Sequence, residues 1–394
     1  MSELNPERKK PVRLKSRPPF EQIALLLQGG GALGSYQGGV YQALDEANIR
    51  PDWVAGVSIG AINSAIIVGN PPEKRVKALR DFWQEISWPF PGPFGVPLYA
   101  SELDLPSMMH AALNRARAFG VMLLGAPGFF TPRFPSPVLA PTSDFSKLSF
   151  YDTNPLRSTL ERIVDFDRIN AGDTRLTVGT TNVQTGNLTC FDNQTGKITP
   201  AHIIASGSLP PGFPATEIDG EYYWDGGLVS NTPLQFVLDS EPRRDTLAFQ
   251  VDLWSARGPL PADLEGVDVR EREIRYSSRT RAGTDQYKLA QRLRIAFSEL
   301  LPHIPQELRE TPGVKLLADA ADDKVCNIVH LIYKTKNYEG NAKDYEFSRE
   351  TMDERWSAGY ADTVRALSHP EALTPPDKSE GVRTLDFNEG FHFE

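Results

Sequence analysis

The chain has 394 residues, with 42 Lys and Arg against 51 Asp and Glu, and is 40% apolar and 24% charged. This is an ordinary globular balance with room for one large domain or two average ones, and the net charge of −9 excludes a whole-molecule field that would gather nucleic acid or anionic lipid. Two cysteines, Cys190 and Cys326, make no disulfide framework, and no Cys/His spacing is that of a zinc site.

Residues 1–20 are polar and proline-bearing and predict a flexible basic arm. It carries Arg8, Lys9, Lys10, Arg13, Lys15 and Arg17 against Glu3 and Glu7. Such a run reads as a solvated tail, with a weak tether to lipid headgroups as the sharper alternative. Ile23–Leu27 is the first apolar run. It is too short and too late for a secretory segment, and no stretch reaches a membrane-spanning length. A cytoplasmic setting, with at most peripheral membrane contact, is the expectation.

Ile23–Leu27 lacks polar alternation and so predicts a central parallel strand covered on both faces. Glycines follow, then a helix with Val40, Ala43, Leu44 and Ala47 on one face. "DWVAGV" is the next strand, and a helix starts just after Ser58, with Ile59, Ile62, Ile66 and Ile67 apolar. Strand, glycine turn, helix, strand, sharp turn and helix predict an α/β fold on a mainly parallel sheet. Trp88–Tyr151 breaks the rhythm with Pro, Gly and Phe around a helix at about Leu105–Leu124. It predicts a locally packed cap over one end of the sheet. The alternative is a lid whose Phe90, Phe94, Phe129, Phe130 and Phe134 dip into a lipid interface.

Regularity returns at Arg175–Asn193, two strands around Thr185-Gly186-Asn187. A proline-rich loop, a strand ending at Asp225 and a buried strand at Thr246–Trp254 follow. In the extension beyond, Tyr287, Ala290, Leu293, Phe297 and Leu300 recur at helical spacing. Arg270, Arg272, Arg275, Arg279 and Arg281 interleave there with Glu271 and Glu273. They predict a solvated, ion-paired face, or else a surface for an anionic partner. Val325–Tyr333 predicts a late core strand that packs on the central sheet, and Glu346–Leu367 a helix. The tail from Thr374 is expected to be mobile. There are no internal repeats.

Gly29-x-Gly31-x-x-Gly34 after a strand matches the dinucleotide fingerprint. That fold needs an acid at the end of the second strand, and Asp52 precedes "WVAGV" instead. Gly56-Val57-Ser58-Ile59-Gly60 is G-x-S-x-G between a strand and a helix, the context of a nucleophile elbow. The turn is tight, so small residues flank the serine. It lifts the hydroxyl off the sheet, and the helix adds free N–H groups and its positive dipole end. The bland alternative is a glycine-rich turn without chemistry. An acyl-transfer serine needs oxyanion donors, and Gly29, Gly30 and Gly31 on the same sheet edge offer backbone N–H groups without side chains. None of the six histidines, His110, His202, His303, His330, His369 and His392, has the turn-rich setting of a catalytic base. Asp225 does: it ends a strand and precedes two glycines. Asp152, Asp192 and Asp219 have nothing local to distinguish them.

In that order, "GGGALG", "GVSIG" and "DGG" resemble the motifs of the patatin-like phospholipases, and "ASGSLPPGFPATEIDGEYYWDGG" looks like the segment that runs into that family's Asp motif. The resemblance covers about Ile23 to Leu247. It implies a three-layer α/β/α fold and a Ser–Asp dyad, with Ser58 as nucleophile and Asp225 as base. It implies Gly29, Gly30 and Gly31 as oxyanion-hole backbone, supported by Gly34, Gly56, Gly60, Gly226 and Gly227. The implied chemistry is two-step acyl transfer on lipid carboxylic esters, with no cofactor or metal. The family commonly carries Arg or Lys where this chain has Leu33, so a preference for charged phospholipids is not implied. The C-terminal part resembles an extra region of bacterial patatin-like proteins catalogued as of unknown function. The expected organisation is an arm (1–20), a catalytic domain (21–254, with the cap at 88–151) and an extension packed on it (255–394). The expected partner is a lipid or other ester substrate, without nucleic acid; the oligomeric state is left open. Two other readings stand beside it: another ester class, such as short acyl esters, thioesters or a storage polyester, and a non-catalytic lipid-binding or scaffold protein.

Overall fold

Strands covered on both faces are apolar at every position, and alternate side chains then feed two separate cores. The computed structural model, which describes residues 10–88, 107–139, 142, 144–335, 339–340 and 342–387 (side chains of 107–108, 110–111 and 278–283 excepted), is built on that principle. In chain order its elements are β1 (Gln22–Leu27), α1 (Ser35–Glu46), β2 (Trp53–Val57), α2 (Ile59–Val68), α3 (Pro72–Ile86) and α4 (Ser107–Leu124). Next come β3 (Thr131–Pro132), β4 (Tyr151–Asp152), α5 (Asn154–Ile163), α6 (Phe166–Ala171), β5 (Arg175–Asn182), β6 (Leu188–Asp192) and α7 (Pro200–Ser206). The rest are β7 (Thr216–Ile218), β8 (Glu221–Asp225), α8 (Leu234–Leu238), β9 (Thr246–Asp252), α9 (Leu264–Leu300), α10 (Gln306–Arg309), α11 (Pro312–Ala320), β10 (Cys326–Ile332), α12 (Arg349–Leu367) and β11 (Val382–Asp386).

The main sheet runs β11-β10-β9-β1-β2-β5-β8-β7, with β6 also on β5. From β11 to β5 every pairing is parallel; β6, β7 and β8 join antiparallel. Ile23, Leu25 and Leu27 face one core with α1, α2, α3 and α12, while Ala24 and Leu26 face a smaller one with α8 and Tyr287 of α9. Helices thus cover both faces of the sheet, the three-layer arrangement expected.

The extension supplies part of this frame. β10 lies against β9 along its whole length, and α12 packs on α1. Their contact is backbone-close: a Cβ on Gly39 would fall 1.9 Å from the Trp356 carbonyl oxygen, and one on Gly359 2.1 Å from that of Tyr36. The tail expected to be mobile from Thr374 is a correction. Val382–Asp386 pairs in parallel with Cys326–His330 as the last strand of the sheet. Only Val382 and Leu385 of it are buried, so its short, mixed sequence has the character of an edge strand.

The arm meets the body within its described part: the Leu14 N–H donates to Ala47 O at 3.0 Å, and Phe20 is buried. Arg17 pairs with Asp52, whose carboxylate also accepts the Ile23 N–H at 2.8 Å. Asp52 therefore fastens the starts of β1 and β2, at the far end from the glycine loop, and holds no ribose. In the cap, Phe129 and Phe130 are buried and their rings meet Phe213 at 6.1 and 5.2 Å. Phe134 is exposed, and Phe90 and Phe94 lie outside the described residues. Along α9, Arg270 pairs with Glu273, Arg272 with Asp268 and Arg275 with Glu271, as an ion-paired face requires; the side chains of Arg279 and Arg281 lie outside the described set.

Candidate active site

β1 and β2 are neighbours in parallel, so the loops that leave them emerge side by side. Ser58 occupies the turn between β2 and α2 with φ 57° and ψ −127°, a conformation that costs a non-glycine residue energy and persists only where neighbours enforce it. Those neighbours are visible. A Cβ on Gly56 would come within 2.3 Å of Gly60 O, and one on Gly60 within 2.1 Å of Leu27 O. The Ser58 N–H donates to Ser206 Oγ at 2.9 Å, and Ser206 donates onward to Gly179 O at 2.6 Å. Beyond Ser58, the first N–H groups of α2 have no intrahelical acceptor.

Asp225 ends β8 and is 3% exposed. Its carboxylate accepts the Gly227 N–H at 2.8 Å and lies near enough to the Ser58 side chain to be influenced by it. Burial pushes its pKa from 3.8 up to about 6, against the opposing pull of the nearby Ser58 side chain and the Gly227 N–H. Gly226 has its Cβ position against Gly179 O, at 2.5 Å, which holds the turn onto β5.

The three loop glycines differ. The Gly29 N–H donates to Asn231 O at 3.3 Å, and its carbonyl accepts from Asn231 Nδ2 and Trp254 Nε1. Gly29 is therefore engaged; what its position requires is space, since a Cβ would meet Asn231 Oδ1 at 2.4 Å and Ser58 Cβ at 2.9 Å. Among the described residues, the Gly30 and Gly31 N–H groups have no acceptor. Gly31 has φ +55°, and Gly34 packs against Ile59 and Trp83.

Gly29, Gly30, Gly31, Ser58, Asp225 and Gly227 line one cavity of about 700 Å³, open mouth included. Ile59, Ile62, Leu209, Phe129, Phe130, Phe213 and Phe347 give it an apolar lining, to which Asn231, Trp254, Tyr276 and Asp344 add polar groups. Among the described residues, no histidine lines it. His202 is used in the cap of α7, and His330 lies 3.5 Å from Asp252. Asp152 pairs with Arg133 and Asp192 with Arg175, and neither they nor Asp219 reach the cavity. Sequence reasoning missed Ser206, Asn231, Trp254, Tyr276 and Asp344. Asn231 lay in plain view after "DGG", but its role is to bridge the two loops, donating to Gly29 O and Tyr276 O.

The fold and this glycine–serine–aspartate arrangement define a patatin-type α/β protein. The chain belongs to the patatin-like phospholipase family, whose sequence model matches residues 25–238; a second model, described as patatin phospholipase, matches residues 274–379. The chain is 48% identical over 54 residues to a lysophospholipase of Aspergillus terreus, and 29% identical over 82 residues to a patatin-like phospholipase domain-containing protein of Caenorhabditis elegans. These stretches cover 14% and 18% of this chain but only 4% and 8% of those proteins. Among solved structures it is similar to VipD from Legionella pneumophila, with 15% identity, TM-score 0.37, and coverage of 88% of this chain and 67% of that one. ExoU of Pseudomonas aeruginosa, solved with SpcU, gives 16% identity, TM-score 0.26, and coverage of 69% and 52%. Among the described residues, no helix is long and apolar enough to cross a membrane.

Proposed function

We propose that the chain is a serine hydrolase of lipid carboxylic esters that works through a Ser58–Asp225 dyad. The observation that carries this reading is that the strained Ser58 and the buried Asp225 carboxylate line one cavity, with no histidine among the described residues of its lining. Asp225 takes the hydroxyl proton as Ser58 Oγ attacks the ester carbonyl. The Gly30 and Gly31 N–H groups, together with the start of α2, hold the oxyanion; Gly29 makes room for it. The alcohol leaves with the proton from Asp225, and water, deprotonated by the same carboxylate, frees the acid. Support for a lipid acyl group comes from the apolar lining, where Phe129, Phe130, Phe213 and Phe347 share the cavity with Ser58. The test is labelling by a fluorophosphonate probe, with peptide mass mapping. Modification of Ser58 with hydrolysis of p-nitrophenyl esters that improves with acyl length is expected; an unlabelled Ser58 in a protein that turns esters over rejects it.

Ser206 extends the reading by one residue. Ser206→Ala leaves the Ser58 N–H and the Gly179 carbonyl without their shared partner. The expected outcome is a loss of about 1–3 kcal/mol in stability and a fall of about tenfold in kcat as the elbow relaxes. Thermal unfolding and steady-state kinetics on a short ester measure the two.

A further inference from the structure

Asp344 belongs to the C-terminal extension, outside the three motifs, yet lines the cavity with Ser58 and Asp225. Its carbonyl accepts the Ala32 N–H at 2.9 Å and stands 2.3 Å from where a Cβ on Gly31 would be, so its backbone is pressed on the glycine loop. Its side chain keeps 14% of its surface accessible, and Oδ1 has no hydrogen-bond partner. The nearest cation, Arg272, stays 3.8 Å away and pairs with Asp268 at 3.2 Å. Lys343, the preceding residue, is held behind the wall: its Nζ is buried against Glu273 Oε1 at 2.7 Å and Thr335 Oγ1 at 2.8 Å, 4.9 Å from the centre of the Trp254 ring. Arg355 bonds Glu339 and the Lys343 carbonyl. These buried pairs clamp the segment that carries Asp344. Burial pushes the Asp344 pKa up to about 6, so it is still ionised in mildly alkaline solution.

Among the described residues, the cavity thus has two carboxylates on its wall and no Lys, Arg or His. A third negative group brought inside would meet like charge at low dielectric, offset only by Arg272 and Lys343, which stand behind the wall and are paired with other carboxylates. Resting on the acyl-hydrolase reading, we propose that Asp344 is a specificity-determining residue: it restricts the cavity to acyl groups that carry no charge, and it drives out the carboxylate product once the acyl-enzyme has been hydrolysed.

Binding tests this without turnover. Decanamide and decanoate share a chain and differ in the charge at the reacting end. By titration calorimetry at pH 8, the wild-type protein is expected to bind decanamide at least about tenfold more tightly than decanoate. Asp344→Asn should narrow that preference by about tenfold, and Asp344→Glu, which keeps the charge, should retain it. A preference unchanged in Asp344→Asn, tighter binding of decanoate by the wild type, or no binding of decanamide overturns the inference. Failure of the hydrolase reading is seen separately, as absence of fluorophosphonate labelling at Ser58, and leaves the binding ratio decisive for Asp344.

Discussion

Asp225→Asn is expected to lower kcat on any ester by about two to four orders of magnitude, because the amide cannot accept the Ser58 proton. The side chains are nearly isosteric, and Asn can still accept the Gly227 N–H, so the geometry survives. Ser58→Ala should abolish turnover and probe labelling together. Wild-type kcat/KM should rise with pH through about 6, where the carboxylate ionises, and level off above it. Stability should move the other way. The folded state holds the Asp225 proton more tightly than the unfolded state, whose value is near 3.8. The carboxyl's contribution to stability is therefore complete below that value and is lost as pH rises through about 6. Above it, a buried charge is maintained at a cost on the order of 3 kcal/mol, which Asp225→Asn removes. The variant should melt higher than wild type at pH 8, and the difference should disappear by about pH 4. Four described histidines, His202, His303, His330 and His369, lie off the cavity lining. Alanine at each should leave substantial activity; loss of turnover in a folded histidine variant, with Asp225→Asn active, would refute the dyad.

Truncation at Ser255 should yield insoluble protein. The deletion removes β10, β11, α9 and α12. β9, buried at all seven positions, would become a bare edge with a row of unpaired N–H and C=O groups, the template on which strands aggregate. The face of α1 at Tyr36, Gly38 and Gly39 would lose Trp356 and Tyr360, both at most 2% exposed. Losing one such aromatic ring costs about 3–5 kcal/mol, and whole domains are stable by only about 5–15 kcal/mol. Soluble fraction and gel filtration are the measurements. A monomeric, fully active truncate would show the extension to be dispensable.

The three motifs were legible because each answers a backbone demand that glycine or a turn must meet locally. The parallel strands were legible because burial on both faces leaves an uninterrupted apolar run, as in Ile23–Leu27. β11 was not: Val382-Arg383-Thr384-Leu385-Asp386 shows water one face and carries charge, so its sequence resembles a loop. Asp344 was hidden for another reason. Nothing near it in sequence is unusual; its place beside Gly31 and Arg272 is one that only the fold creates. Gly29 illustrates a third limit. Its place in the loop was readable, but that its N–H is taken by Asn231 depends on a bond across 202 residues of chain.

The packing of α12 on α1 has a consequence for the order of events at synthesis. Tyr36 and Asp362, hydrogen-bonded at 2.8 Å, are 326 residues apart in the chain. Contacts of such high order form late, after the entropy of closing a long loop has been overcome. On a translating ribosome, Ser58 and Asp225 emerge well before the segment that backs Gly31 and before the strand that covers β9. A nascent chain therefore carries the two residues of the proposed dyad without their frame, and the cavity becomes complete only when the last strand of the sheet has been made.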